Sequence, residues 1–153
     1  MIITLIGGWY LYHIIEYGFH SLGHYVSEYN YIHKLHKQHH LDYPPQNLQS
    51  LTYRGNREGL KAFFLPSVLL SISLYYFLLF ETFKIIMIEI LFLTLINDYI
   101  HTHIHLSHSW LDRFEWFRRS RRLHFLHHKC HRYNLAFSGL SHRIDKLMGS
   151  FKD

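Results

Sequence analysis

The sequence predicts an all-α integral membrane protein, with about three transmembrane helices under a cytosolic, histidine-rich helical cap. Three observations predict it. Three apolar runs are long enough to cross a bilayer. Most of the basic residues fall on one side of those runs. Ten of the sixteen histidines form two matching sets on that same side.

A chain of 153 residues has the length of a single domain, 1–153. Charged and aromatic residues each make up 18%, an apolar balance in which many His and Tyr mask the Leu/Ile/Phe runs. The expected membrane helices cover about 1–17, 62–80 and 83–100. At ~1.5 Å per residue, about 18 to 20 residues cross a hydrocarbon core of about 30 Å. The first run lacks a basic n-region and a small-residue cleavage site, so it is expected to be a retained anchor. Lys34, Lys37, Arg54, Arg57 and Lys61 follow the first run, and ten more Lys or Arg follow the third. The positive-inside rule therefore puts both stretches in the cytosol. The single Cys130 excludes an intrachain disulfide.

The cytosolic metal-binding parts are expected at about 20–43 and 101–146. Residues 31–41 predict a short amphipathic helix ended by Pro44-Pro45, and 44–59 predict a loop. Residues 110–131 predict an amphipathic helix along the membrane, with Trp110, Phe114, Trp116 and Phe117 near the interface.

The histidine sets have the same order twice. His20 and His24 form HxxxH, and His36, His39 and His40 form HxxHH. Then His101 and His105 form HxxxH, and His124, His127 and His128 form HxxHH. Eleven residues separate the two motifs in the first copy and eighteen in the second. On a helix, positions i, i+3 and i+4 lie near one face, so each half is expected to bring five imidazoles to one place. Neutral imidazole is a common metal ligand. A single zinc site needs about four ligands, so ten suit two metals of five or six coordination. Imidazole accepts Zn, Cu, Fe and Ni alike, and the lipid-boundary setting favours iron.

The motifs as a set resemble those of the fatty acid hydroxylase/sterol desaturase superfamily of membrane di-iron oxygenases. The local wording agrees in His36-Lys-Gln-His-His40, in Leu123-His-Phe-Leu-His-His128 and in Asp145-Lys-Leu-Met-Gly-Ser150. The resemblance runs from about Glu16 to Phe151. It implies two iron ions on the ten histidines, with zinc able to substitute. It implies O2-dependent hydroxylation or desaturation of a fatty acyl, sterol or related lipid. Electrons would come from a donor such as cytochrome b5 or ferredoxin. The protein would be multi-pass, with its metals on the cytosolic side, in the endoplasmic reticulum if eukaryotic.

There are departures. The family usually has four membrane helices and three are visible here, so a neighbouring subunit could add cover in an oligomer. Ser21 stands where Arg often follows the first His. Asn134-Leu135-Ala136 replaces an Asn-aromatic-Gly run common in sterol-acting members. A carotenoid-type hydroxylase, and a metal-binding membrane protein or subunit without turnover, remain as alternatives.

Around the ten, Glu16 and Asp98 are candidates to hold a ligand's second ring nitrogen. Asn134 and His131 are further candidates near the metals. Arg118, Arg119, Arg121 and Arg122 form a basic patch expected to meet anionic lipid headgroups or an acidic electron donor. No nucleic-acid partner is expected.

Overall fold

The computed structural model describes residues 2–25, 30–55, 57–136 and 142–153; the side chains of 58, 59 and 62–68 lie outside the described set. Six α-helices follow in order: α1 Ile2–Tyr25, α2 Tyr31–Asp42, α3 Glu58–Phe77, α4 Phe80–Ile104, α5 Glu115–Lys129 and α6 Arg143–Met148. A 3₁₀ helix, Trp110–Arg113, precedes α5. Among the described residues there is no strand longer than a single bridge, between Ser50 and Leu106.

α1 buries Gly8, Tyr12, Glu16 and His20, a stripe of one residue every four. α4 buries Ile86, Ile90, Thr94, Asn97 and His101 in a similar stripe. Spacings of three and four keep such residues on one helix face. The two stripes face each other with the helices parallel: Gly8 lies against Glu89 and Glu16 against Asn97. α3 is the return stroke that makes a parallel pair possible, and its Leu70 and Leu74 pack on the Tyr12, Ile86, Ile90 and Leu93 core.

The chemistry of this seam changes along its length. It is apolar at Ile86 and Ile90 and polar at Glu16 and Asn97, and it ends in His20 and His101. Glu16 is fully buried, accepting from the Asn97 amide at 3.0 Å and pairing with His13 Nδ1 at 3.1 Å. A buried carboxyl is tolerable only with such partners.

The cap grows from local signals. The Asn30 side chain caps α2 by accepting from Ile32 N, and the helix ends at Asp42, ahead of Pro44-Pro45. The expected helix over 110–131 is interrupted. Ser109 and Asp112 form a capping box on the 3₁₀ turn, and Phe114 takes an extended conformation before α5 begins. The second cluster, Ile100, Ile104, Leu111 and Phe117, fastens α5 to the end of α4. α3 starts at Glu58, a little before the loop was expected to end.

The expected membrane spans find no support among the described residues. Among the described residues no helix is long and apolar enough to cross a membrane. The run 83–100 carries Lys84, Glu89 and Asp98, the run 1–17 ends in His13 and Glu16, and 62–68 of the middle run lie outside the described side chains. The long helices nevertheless turn large apolar side chains outward. Ile3 is 86% exposed, Phe77 85% and Ile88 69%, with Leu91, Phe92 and Leu95 beside the last.

Glu16→Ala would remove the buried acceptor that meets His13 Nδ1 and the Asn97 amide inside the seam. Each buried polar group left unpaired costs about 1–3 kcal/mol, so the variant should unfold at a clearly lower temperature. Thermal unfolding of the purified protein followed by circular dichroism checks this.

Candidate metal centre

The structure brings all ten motif histidines together through their Nε2 atoms, and it divides them into two groups. In the first, His20 Nε2 lies 3.2 Å from His36 Nε2 and 3.0 Å from His127 Nε2. His24 Nε2 lies 3.0 Å from His127 and 2.7 Å from His36, and His40 Nε2 lies 3.0 Å from His36. In the second, His39 Nε2 lies 3.1 Å from His128 and 3.2 Å from His101. His124 Nε2 closes that group, 3.1 Å from His105 and 3.0 Å from His128. Two quartets within these groups have ligand atoms all within 4.8 Å of one another: His20, His24, His36 and His127, and His39, His105, His124 and His128.

The division differs from the expectation that each half gathers its own five. Each HxxHH motif splits, and its middle histidine crosses to the other group. Helical geometry explains the split. At about 100° per residue, position i+4 falls about 40° to one side of i, and position i+3 about 60° to the other. On α2, His36 and His40 therefore turn one way and His39 the other. On α5, His124 and His128 turn one way and His127 the other. Each of these helices stands between the two groups and serves both.

Backbone carbonyls orient the rings. His20 Nδ1 donates to Leu135 O at 2.6 Å and His127 Nδ1 to Tyr133 O at 2.9 Å. His105 Nδ1 donates to Leu48 O and His128 Nδ1 to Tyr43 O, both at 2.8 Å. A carbonyl can only accept, so each of these Nδ1 atoms carries the proton. In the neutral ring the Nε2 atom is then a bare lone pair. His20 and His127 thus point two lone pairs at each other across 3.0 Å with no proton between them. That arrangement repels unless a cation lies between.

Protonation does not supply the cation. Burial, reinforced by neighbouring imidazoles, pushes His36, His39 and His124 well below the ordinary histidine range. Burial takes His24 down to about 2 and His105, His127 and His128 to about 3. A metal ion does fit. At a metal–nitrogen distance of about 2.1 Å, ligands at right angles lie about 3.0 Å apart, and tetrahedral ones about 3.4 Å. The shortest Nε2–Nε2 spacings, 2.7–3.2 Å, are short enough for neighbouring rings to share one ion.

Two loops carry the orienting carbonyls, one per group. The first is 43–50, tied to the end of α4 by Ser50 N→His105 O and Ser107 N→Ser50 O, both 2.9 Å. Tyr43 is fully buried in it and stacks on His105 at 3.9 Å. The second is 130–136, held by Asp145, which accepts from Leu135 N, Ala136 N and Ser150 Oγ at 2.7, 2.9 and 2.7 Å. Burial works to raise the Asp145 carboxyl, but hydrogen bonds from His142, Ser150 and the Ala136 amide outweigh it and hold it below its ordinary value. Gly23 belongs to the same construction. A Cβ there would meet His36 Cβ at 3.0 Å, so its absence lets α2 come close enough to deliver His36.

The expected supporting residues have partners of their own. Glu16 bonds His13 and Asn97, and Asp98 lies 3.8 Å from Arg57. Asn134, in the left-handed region at φ 54°, bonds Leu123 O and both polar groups of the Lys152 backbone, shaping the loop from behind. His131 lies against the first group, its ring stacked on His24 at 4.8 Å. The arginines divide. Arg121 is tied to Asp112 and to the His103 and Leu106 carbonyls, Arg119 to Asp153, and Arg118 to Asp112 O. Arg122 is exposed.

A sequence model of the fatty acid hydroxylase family matches residues 5–150. The chain belongs to the fatty acid hydroxylase family. The resemblance carried by the histidine spacing is borne out, within the fatty acid hydroxylase/sterol desaturase superfamily. The matched span contains all ten histidines, both carbonyl loops and Asp145. Comparison with curated proteins and with solved structures gave no match.

Gly23→Ala should weaken the first group while leaving the second, so metal content should fall toward half of the parent's on elemental analysis. Acid should act through the imidazoles. Above about pH 6.5 they are neutral both folded and unfolded. Below it the unfolded chain takes up protons that the metal-free fold refuses, because burial holds the rings well below their ordinary range, near 2 at His24 and near 3 at His127 and His128. Stability of the metal-free protein should therefore fall steadily from about pH 6.5 toward pH 3. Unfolding temperature measured against pH checks the sign.

Proposed function

We propose that this chain is a membrane-embedded, O2-dependent lipid oxidoreductase, hydroxylating or desaturating a fatty acyl, sterol or related lipid at a pair of iron ions. The observation that carries it is the pair of carbonyl-locked imidazoles, His20 and His127, whose facing lone pairs require a metal cation. His20, His24, His36, His40 and His127 would hold one ion, and His39, His101, His105, His124 and His128 the other. Bound iron would supply O2 activation and the oxidising strength that breaks an unactivated C–H bond, which no side chain can do.

The chain's own residues do the rest. Four carbonyls keep Nδ1 protonated and Nε2 free for metal. Burial keeps the rings neutral and excludes bulk water from the second group. The outward apolar faces of α1, α3 and α4 support placement in lipid, where such surface has its natural solvent. His20 and His101 continue the same helices, so a lipid lying along them reaches the metal end without leaving the apolar surface. Trp110, which donates to the Tyr99 hydroxyl, and Trp116, both about half exposed, suit the interface level, and Arg118, Arg119 and Arg122 suit anionic headgroups there. A cytosolic electron-transfer protein of the cytochrome b5 or ferredoxin type completes the reading.

Elemental analysis of detergent-purified protein should find two irons per chain. His127→Ala should lose one, His39→Ala the other, and the double variant both. With donor, O2 and lipid, the parent should form an oxidised lipid, and either single variant should not. A chain that binds no metal, or whose metal content ignores both substitutions, would falsify the reading.

A further inference from the structure

The two histidine groups differ in their access to solvent, and the difference has a specific occupant at its mouth. In the second group all five rings are buried, from 0% exposed at His105 to 4% at His124. In the first, His24, His36 and His40 are only half-buried. Outside them sits His131, an exposed residue on the turn that follows α5. Its ring stacks on His24 at 4.8 Å with 23° between planes, and lies 4.5 Å from His40 and 6.0 Å from His127. An eleventh imidazole therefore touches three rings of the first group from the solvent side.

Metal exchange at a multidentate site proceeds one ligand at a time, because losing all ligands at once leaves a bare ion. A spare imidazole beside the site lowers that barrier by holding the ion while an inner ligand lets go. His131 has the chemistry for this, since neutral imidazole is the same donor as the ten. It also has the position, on a turn outside the helices, where ring reorientation disturbs no packed core.

We propose that His131 is the exchange ligand through which metal loads into and leaves the first group, and that the second group is kinetically closed. The inference rests on the two-metal reading above. It assigns different lifetimes to two ions that otherwise have near-equivalent ligand sets.

The test uses the full chain in detergent, loaded anaerobically with iron(II) and mixed with an excess of a water-soluble chromogenic chelator. Release should occur in two phases of equal amplitude. His36→Ala should abolish the fast phase, and His124→Ala the slow one. His131→Ala, or His131→Gln if the alanine variant folds poorly, should keep two irons per chain and slow the fast phase several-fold. The slow phase should not move, and His108→Ala, at an exposed histidine elsewhere, should change neither. A single-phase release overturns the proposal, as does a fast phase that is unchanged or accelerated in the His131 variants. If the parent holds fewer than two irons, it is the two-metal reading that has failed; two irons leaving together would sink only the exchange role.

Discussion

Two bare lone pairs held face to face set the terms for the rest of this molecule. The protons of His20 and His127 are committed to the carbonyls of Leu135 and Tyr133, so the nitrogens between them have nothing to share. Burial denies them protonation. The fold therefore contains a repulsion that a bound cation would relieve, which would couple metal binding to folding. Much of the cap serves to hold that arrangement. Asp145 braces one carbonyl loop, the Ser50–Leu106 bridge braces the other, and Gly23 admits α2 to its place.

The long helices solve a different problem. They must carry an outward surface of Ile, Leu and Phe and yet end in a polar centre. The α1–α4 seam makes the change by degrees, from Ile86 and Ile90 through the Glu16–Asn97 pair to His20 and His101. A carboxyl at the middle step is held within α1 by His13 and across the seam by the Asn97 amide, and the second bond ties the axial register of the two helices. Register matters because a slide of one residue turns a helix by about 100°, enough to take His20 or His101 off its group. Glu16 thus bears on the histidine groups through helix placement.

What the sequence made legible was the repeated and the local. HxxxH and HxxHH are helix-spaced signals, and four of them in one order, with ten histidines, pointed to two metals and to the family. Pro44-Pro45 ended α2 where expected. The partition of the ligands was not legible in the same way, because a motif lists ring positions along one helix but not the direction of each ring relative to two centres. The orienting groups were invisible for a simpler reason. Leu48, Leu135, Tyr43 and Tyr133 act through backbone carbonyls, which every residue possesses. Glu16 and Asp98 drew attention by their closeness to motifs, yet one turns along the seam and the other toward Arg57. Asp145 stood out only as family wording, and its action on His20 through Leu135 requires the folded tail.

The exchange of middle histidines makes the two halves of the chain mutually incomplete. Residues 20–40 supply four rings to one centre and lend the fifth to the other, and residues 101–128 do the reverse. Neither half, isolated, could finish a pentadentate site. Two copies of either half could do so by trading His39 for His39, or His127 for His127, across a twofold axis. The single chain therefore has the logic of an obligate dimer written in tandem, in which the loss of one imidazole from α2 or α5 is felt by a centre built mainly from the opposite end of the sequence.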